Sequence, residues 1–200
     1  MDATADDLVP DADLDALTFE GLDLSGRDAS GARFLECELT GCRADGLRLD
    51  HARLLDTTWT AVQAGDVRAP GSAWRDVTLT DVRLGALGTS AAEVVRLRVV
   101  GGKVDYLDLR GATVDGLHLE RVTLGDLDLS GATVRKLVVV DCDVRRLDTS
   151  DARLRDVDLR GARLTGGVDG VGGLAGATIS GDQLLDLAPL LAAHLGLRVR

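Results

Sequence analysis

Two hundred residues with 45% hydrophobic content suit one domain or one elongated rod with a substantial core, which excludes disorder throughout. A net charge of −10 argues against direct nucleic-acid binding, which needs clustered Lys and Arg to displace counterions from phosphates. No apolar run of 18 residues and no basic segment leading into an apolar stretch is present, so no membrane span or secretory signal is expected and the chain reads as cytoplasmic.

Residues 1–11 carry Asp2, Asp6, Asp7 and Asp11 and read as a disordered acidic tail. From residue 12 a period of five takes over. Every fifth residue from Leu14 to Leu164 is Leu, Val, Phe, Trp or Ala at 29 of 31 positions, the exceptions being Thr89 and Thr149. Two residues earlier, from Ala12 to Ala162, the residue is Ala, Val, Leu or Cys in 27 of 31 cases; Arg27, Thr57, Ser72 and Gly102 depart. Arg27 at an inward position marks the first coil as irregular. A helix needs apolar spacing of three and four, and an ordinary strand needs alternation on one face, so neither explains this pattern. A coiling backbone does: each pentad forms one short side, four pentads close a square coil of 20 residues, and residues 20 apart stack at about 4.8 Å. Leu107-Asp108-Leu109-Arg110-Gly111-Ala112-Thr113-Val114 recurs 20 residues later from Leu127 and again, weakened, from Leu147. Almost eight coils predict a rod roughly 35 to 40 Å long.

With only five aromatic residues (Phe19, Phe34, Trp59, Trp74, Tyr106), the core must be built from Leu, Val and Ala. Cys37, Cys42 and Cys142 are odd in number, lack C-x-x-C spacing and fall on inward positions, so they read as small buried hydrophobes. The pentads at 32–36, 52–56, 112–116, 152–156 and 157–161, such as Ala32-Arg33-Phe34-Leu35-Glu36, resemble the A-[DN]-L-x-x signature of the pentapeptide-repeat family. The resemblance covers about three quarters of the chain. It implies an all-β solenoid, a right-handed quadrilateral parallel β-helix over residues 12–166.

An open solenoid needs caps. Residues 167–180 read as a Gly-rich loop and final partial coil, and 181–200 as a short α-helical cap. Ser180-Gly181-Asp182-Gln183 is a capping box, and Pro189 is expected to break or kink the helix and start a second segment that stops at Gly196. Leu184, Leu187, Leu190, Leu191 and Leu195 are too many to be solvated; part must cover the last coil and the rest is expected to meet a second copy. The stretches 176–183 and 192–197 are similar to the cap of the mycobacterial, gyrase-interacting fluoroquinolone-resistance members of the family, which implies a homodimer through this cap.

Three patterns imitate catalytic, metal or cofactor motifs, and each lacks a required residue or context. His51, His118 and His194 belong to no recognisable nucleophile–base arrangement. Asp11-x-Asp13-x-Asp15 imitates the start of a calcium loop, but Ala16 stands where the turn glycine is required and Leu22 where the bidentate Glu belongs. Gly170-x-Gly172-x-x-Ala175 matches a dinucleotide fingerprint by letter only, with no apolar strand before it. The expectation is a protein without catalytic or metal residues and without cofactor. One acidic feature remains: Asp108, Asp128 and Asp148, spaced by 20, with Asp151 beside them, form a possible binding ladder.

The family resemblance implies a non-enzymatic binding protein, with DNA mimicry against DNA gyrase or another type II topoisomerase as the leading function. A scaffold rod for some other protein partner, with no topoisomerase role, is the alternative. The charge distribution weakens the mimicry reading and favours the scaffold: residues 1–50 hold 13 acids and 4 bases, residues 51–200 hold 20 and 19.

Overall fold

The structure, a computed structural model, describes residues 1–198. Successive coils pair in parallel at a spacing of 20 residues: Leu14 meets Phe34, Phe34 meets Leu54, Leu54 meets Trp74, and Val94 meets Val114 and then Val134 through the same ladder. The coil has four faces, whose inward ladders begin at Leu14, Phe19, Leu24 and Ala29. In the first two coils the strands are two or three residues long, as in Arg33–Leu35, Glu38–Thr40 and Leu47–Arg48. Further on, eight-residue strands such as Thr113–Glu120 run through the corner between the first and second faces. Six-residue strands such as Thr123–Asp128 likewise join the third and fourth. The result is one thirteen-stranded and one eight-stranded parallel sheet.

Corners need a left-handed backbone, which glycine adopts freely and Asp more readily than most residues. Asp56, Asp76, Asp81 and Asp141 take φ of 49 to 56° at such corners, in the same register as Gly41 and Gly71. A repeat that spends Asp and Gly on corners and Leu and Val inside agrees locally with its own fold.

The interior is dry and continuous. Its volumes are matched within coils: Trp59 shares its coil with Ala64 and Ala69, so a large side chain on one face is met by small ones on the next two. Trp59 and Trp74 pack at 5.7 Å between ring centres with planes at 57°. The polar exceptions to the register satisfy themselves. Thr89 Oγ1 donates to Asp108 O at 2.7 Å and Thr149 Oγ1 to Gly170 O at 2.9 Å, while Trp74 Nε1 donates to Ser72 Oγ at 2.7 Å. Gly102 has no room for a side chain, since a Cβ there would strike the Val82 carbonyl. Cys37, Cys42 and Cys142 are free and buried, and burial pushes all three thiols up, away from the reactive thiolate form.

Two expectations need correction at the ends. Residues 1–11 are not a disordered tail. Asp2 pairs with Thr18 in a parallel bridge, Ala5–Asp7 form a 3₁₀ turn closed by Thr4 and Asp7, and Ala3 and Leu8 are buried on the first coil. Arg27, the inward misfit, turns out to Asp6 at 2.9 Å. Two small apolar anchors and one ion pair are enough, because the open coil end offers unpaired backbone partners to whatever lies over it.

At the other end, Pro189 does not divide the cap. One helix, α1, runs Gly181–His194 with Pro189 inside it. A mid-helix proline costs about 3 kcal/mol; here Leu187 on one side of it is buried and Leu191 on the other packs against the core, so both halves are anchored. The final coil is irregular: Leu147 pairs with Val168 and Asp148 with Asp169, a spacing of 21, before Val157 pairs with Ala177 at the usual 20.

Candidate binding faces

The fourth face carries the acidic column. Asp108 pairs in register with Asp128, Asp128 with Asp148, and Asp148 with Asp169. The fourth member was missed in the sequence because a one-residue insertion before Val168 breaks the spacing of 20. Asp151 does not belong to this column. It sits on the following corner with φ of 56° and lines a separate cleft of about 810 Å³ beneath α1, together with Arg153, Asp169, Leu190 and His194.

Each carboxylate of the column first serves its own turn. Asp108, Asp128 and Asp148 accept from the backbone N–H two residues on, at 3.0, 3.0 and 2.9 Å. Asp108 is then consumed by Arg110, whose Nε and Nη2 donate to its two oxygens at 2.9 and 2.8 Å; its side chain is 6% exposed. This pairing holds the Arg110 guanidinium well above its ordinary value. Burial pushes the Asp128 carboxyl up, but the hydroxyl and amide of Ser130, the phenol of Tyr106 and the charge of Arg110 outweigh it and leave it lowered. Tyr106 Oη donates to Asp128 Oδ2 at 2.9 Å. Burial first, and this hydrogen bond second, push the Tyr106 phenol up to about 12. Asp169 is engaged by Arg146 at 2.6 Å. A cleft of about 160 Å³ lies among Tyr106, Asp126, Leu127, Asp128, Arg146 and Asp148. Of the four residues expected as an acidic ladder, three are therefore brought together, but two of those are committed to groups of the chain itself.

The same economy runs over the other faces. Arg33 reaches Asp13 at 2.7 Å, Arg145 reaches Asp126 at 3.0 Å, and Arg96 grips Asp76 through both nitrogens, each pair spanning about one coil. Arg160 chelates Asp158 and, with its own backbone N–H, lowers that carboxyl to about 2. On the second face Glu120 collects Arg98, His118 and Arg121; its pKa is lowered by these bonds, the one from His118 first. Among the described residues no group of three His, Cys, Asp or Glu is arranged to hold a metal ion. No described helix is long and apolar enough to cross a membrane.

The cap separates into two leucine populations. Leu187 is buried and Leu191 packs partly on the coil, while Leu190, Leu184 and Leu195 are 40%, 50% and 69% exposed. Leu185, not singled out from the sequence, is the most exposed of the helix at 73%. Gln183 does more than close the capping box with Ser180. Its Nε2 donates to Leu159 O and Ala162 O, both at 2.7 Å, and so plugs carbonyls of the last regular coil.

These features define a parallel β-solenoid whose outward columns, stacked coil by coil, are the surfaces it presents. The family model for pentapeptide repeats matches residues 11–54, in eight copies, and the same five-residue register continues to Leu164. Over the matched residues the chain is of the pentapeptide-repeat family. No curated protein matches it in sequence. Among solved structures, a trypsin-treated variant of QnrB1, a plasmid-mediated fluoroquinolone-resistance protein, is 20% identical over 100% of this chain and 94% of its own, with a TM-score of 0.35. Full-length QnrB1 is 15% identical over 98% and 95%, also at 0.35. HetL, a pentapeptide-repeat protein of heterocyst differentiation regulation from the cyanobacterium Nostoc, is 17% identical over 80% and 85%, at 0.23.

Proposed function

We propose that this chain is a non-enzymatic binding rod that presents a flat, charged face to a protein partner. The observation that carries this reading is the surface itself: nearly continuous columns of side chains repeat at one strand spacing over a rigid core, a geometry suited to a macromolecular surface. In its finer form the partner is DNA gyrase or another type II topoisomerase, with the rod imitating DNA at a basic saddle. The acids of the first coils support it: residues 1–50 carry 13 acids against 4 bases, and Glu36, Glu38 and Asp56 are exposed. A scaffold role without topoisomerase binding is favoured by a different observation, the arginine–aspartate pairing from coil to coil over residues 51–200. The exposed leucines of α1 support a homodimer through the cap.

A gyrase supercoiling assay separates the two. Inhibition that falls in a Glu36→Gln, Glu38→Gln, Asp56→Asn variant supports mimicry, because charge is removed with little change of shape. Supercoiling unchanged over the whole concentration range would leave the scaffold reading in place.

A further inference from the structure

The corner between the first and second faces carries a charge pattern that reverses halfway along the rod. From the second coil to the seventh its residues are Glu36, Asp56, Asp76, Arg96, Gly116 and Lys136, with Ala16 and Asp156 at the two ends of the column. The flanking strand residues hold this column in register, Leu35 on Leu55, Leu55 on Arg75, Arg75 on Val95, and so on to Arg135. All six take the left-handed conformation, with φ between 49 and 93°. Coils two to four are thus acidic on this edge and coils five to seven basic. Glu36, Glu38 and Asp56 make no ion pair with any described residue, while Arg96 is held by Asp76 and Lys136 by Asp115 within the chain, so docking shares these two pairs rather than creating them; like charges at one strand spacing repel.

The basic half also has a shape. Gly116 supplies no side chain to the column, and a groove of about 390 Å³ opens there among Arg96, Arg98, His118, Lys136 and Val138. Val138 is 37% exposed, an outward valine where the alternation calls for a polar residue.

We infer that this edge is a self-docking ridge, on which a second copy of the chain lies side by side and antiparallel. A twofold axis between the fourth and fifth coils sets Glu36 of one copy opposite Lys136 of the other, Asp76 opposite Arg96, and Asp56 over the notch at Gly116. The register is selective. Half a coil toward the C-terminal end, Arg96 meets its own copy and Glu36 meets Asp156, and only Asp56 is matched, by Lys136; half a coil the other way, Asp76 meets itself and only Asp56 is matched, by Arg96, so each shift keeps fewer opposite-charge pairs than the central register. Parallel pairing sets every charge against its like. Six coils give a ridge about 25 Å long. The ridge shares Glu36 and Asp56 with the acids invoked for topoisomerase binding, so the two uses compete, and self-association is read without a topoisomerase present; the surface is distinct from the leucines of α1.

The pairing is electrostatic and exposed, so it is weak and sensitive to salt. The test uses full-length protein carrying Leu185→Glu and Leu195→Glu, which removes the helix face, with association read by analytical ultracentrifugation. The native ridge self-associates at about 20 mM salt and at least tenfold more weakly at about 500 mM. A basic ridge, Glu36→Lys with Asp56→Lys, and an acidic ridge, Arg96→Glu with Lys136→Glu, each stay monomeric alone; a labelled copy of one binds the other when they are mixed. Lys and Arg already occupy this corner conformation at Lys136 and Arg96, so the substitutions suit the backbone. A thermal scan checks folding; should either variant unfold, Glu36→Gln with Lys136→Gln replaces it, and its low-salt association falls. A native ridge monomeric at 20 mM, variants that associate alone as well as the native ridge, or a mixture no tighter than its components, overturns the proposal.

Discussion

Tyr106 is the only tyrosine in the chain, so its ionisation is read without deconvolution from absorbance near 295 nm. Its folded pKa is raised to about 12, above the ordinary value near 10, which means the native state holds the phenolic proton more tightly than the unfolded chain. Its contribution to stability is therefore fully present below pH 10 and is lost as pH rises toward 12. A titration midpoint near 12 is expected in the native protein. Asp128→Asn should lower it, because the carboxylate that the phenol bonds is gone, yet leave it above 10, because burial remains. A native midpoint at 10 would show that Tyr106 is neither buried nor bonded to Asp128 as described. The neighbouring Asp108 shows why column position alone misleads. The period of 20 was legible in the sequence and placed Asp108, Asp128 and Asp148 on one face correctly, but the repeated Leu-Asp-Leu gave no sign that Arg110 closes over Asp108. Asp108→Ala is accordingly a structural change: it strips a bidentate partner and a turn hydrogen bond and should cost about 2 kcal/mol in denaturant melts. Asp148, which lacks such an arginine in its own turn, is the member of the column whose replacement tests a binding face cleanly.

At the scale of the element, the coils and the cap make opposite demands. Leu109 and Leu129 are buried in a dry stack with no polar partner, so Leu109→Asp or Leu129→Asp should abolish soluble folded protein, and wild-type thermal stability in either would refute the register. The cap acts through Gln183. Gln183→Leu keeps the apolar stem but takes the side-chain donor from the Ala162 carbonyl and one of two donors from the Leu159 carbonyl, which keeps the Ala162 N–H, and should cost about 1–3 kcal/mol, read as a lower melting temperature. Gln183→Glu should be worse, since it turns a donor into an anion facing two carbonyls. The capping box was legible because Ser180 and Gln183 have the right spacing. The second task of Gln183 was not, because it depends on which carbonyls the last coil leaves open. The same holds for Pro189, where local propensity pointed to two segments and packing of Leu187 and Leu191 keeps one. Leu195→Glu on the exposed side should shift a cap-mediated dimer to monomer in light scattering, while the melting temperature stays close to wild type.

For the whole molecule, the governing fact is that a solenoid has two ends, each a template for another chain. Residues 1–8 have no pentad pattern, yet they fold onto the first coil, and the physical reason also makes a prediction. Face by face, the first coil is covered unevenly. Over the second face, Thr18 N–H donates to Met1 O and Ala3 N–H donates to Thr18 O, both at 2.9 Å, while Leu8 closes the interior. Over the first face, Asp13–Asp15 is an edge strand with no strand beyond it, and Asp13 and Asp15 guard it with charge. Deleting residues 2–9 would uncover the Thr18–Glu20 edge, release Arg27 from Asp6 and open Leu14 and Phe19 to solvent. The shortened chain should then associate end to end, through backbone pairing and apolar contact. That association should persist at about 500 mM salt, unlike the ridge pairing, because neither force is screened. Small-angle scattering distinguishes the two by particle length, which grows for end-to-end stacking and stays near that of one rod for the antiparallel pair. A truncated protein that remains monomeric at high concentration would mean that the charges of Asp13 and Asp15 protect the end by themselves, and that the N-terminal segment caps nothing.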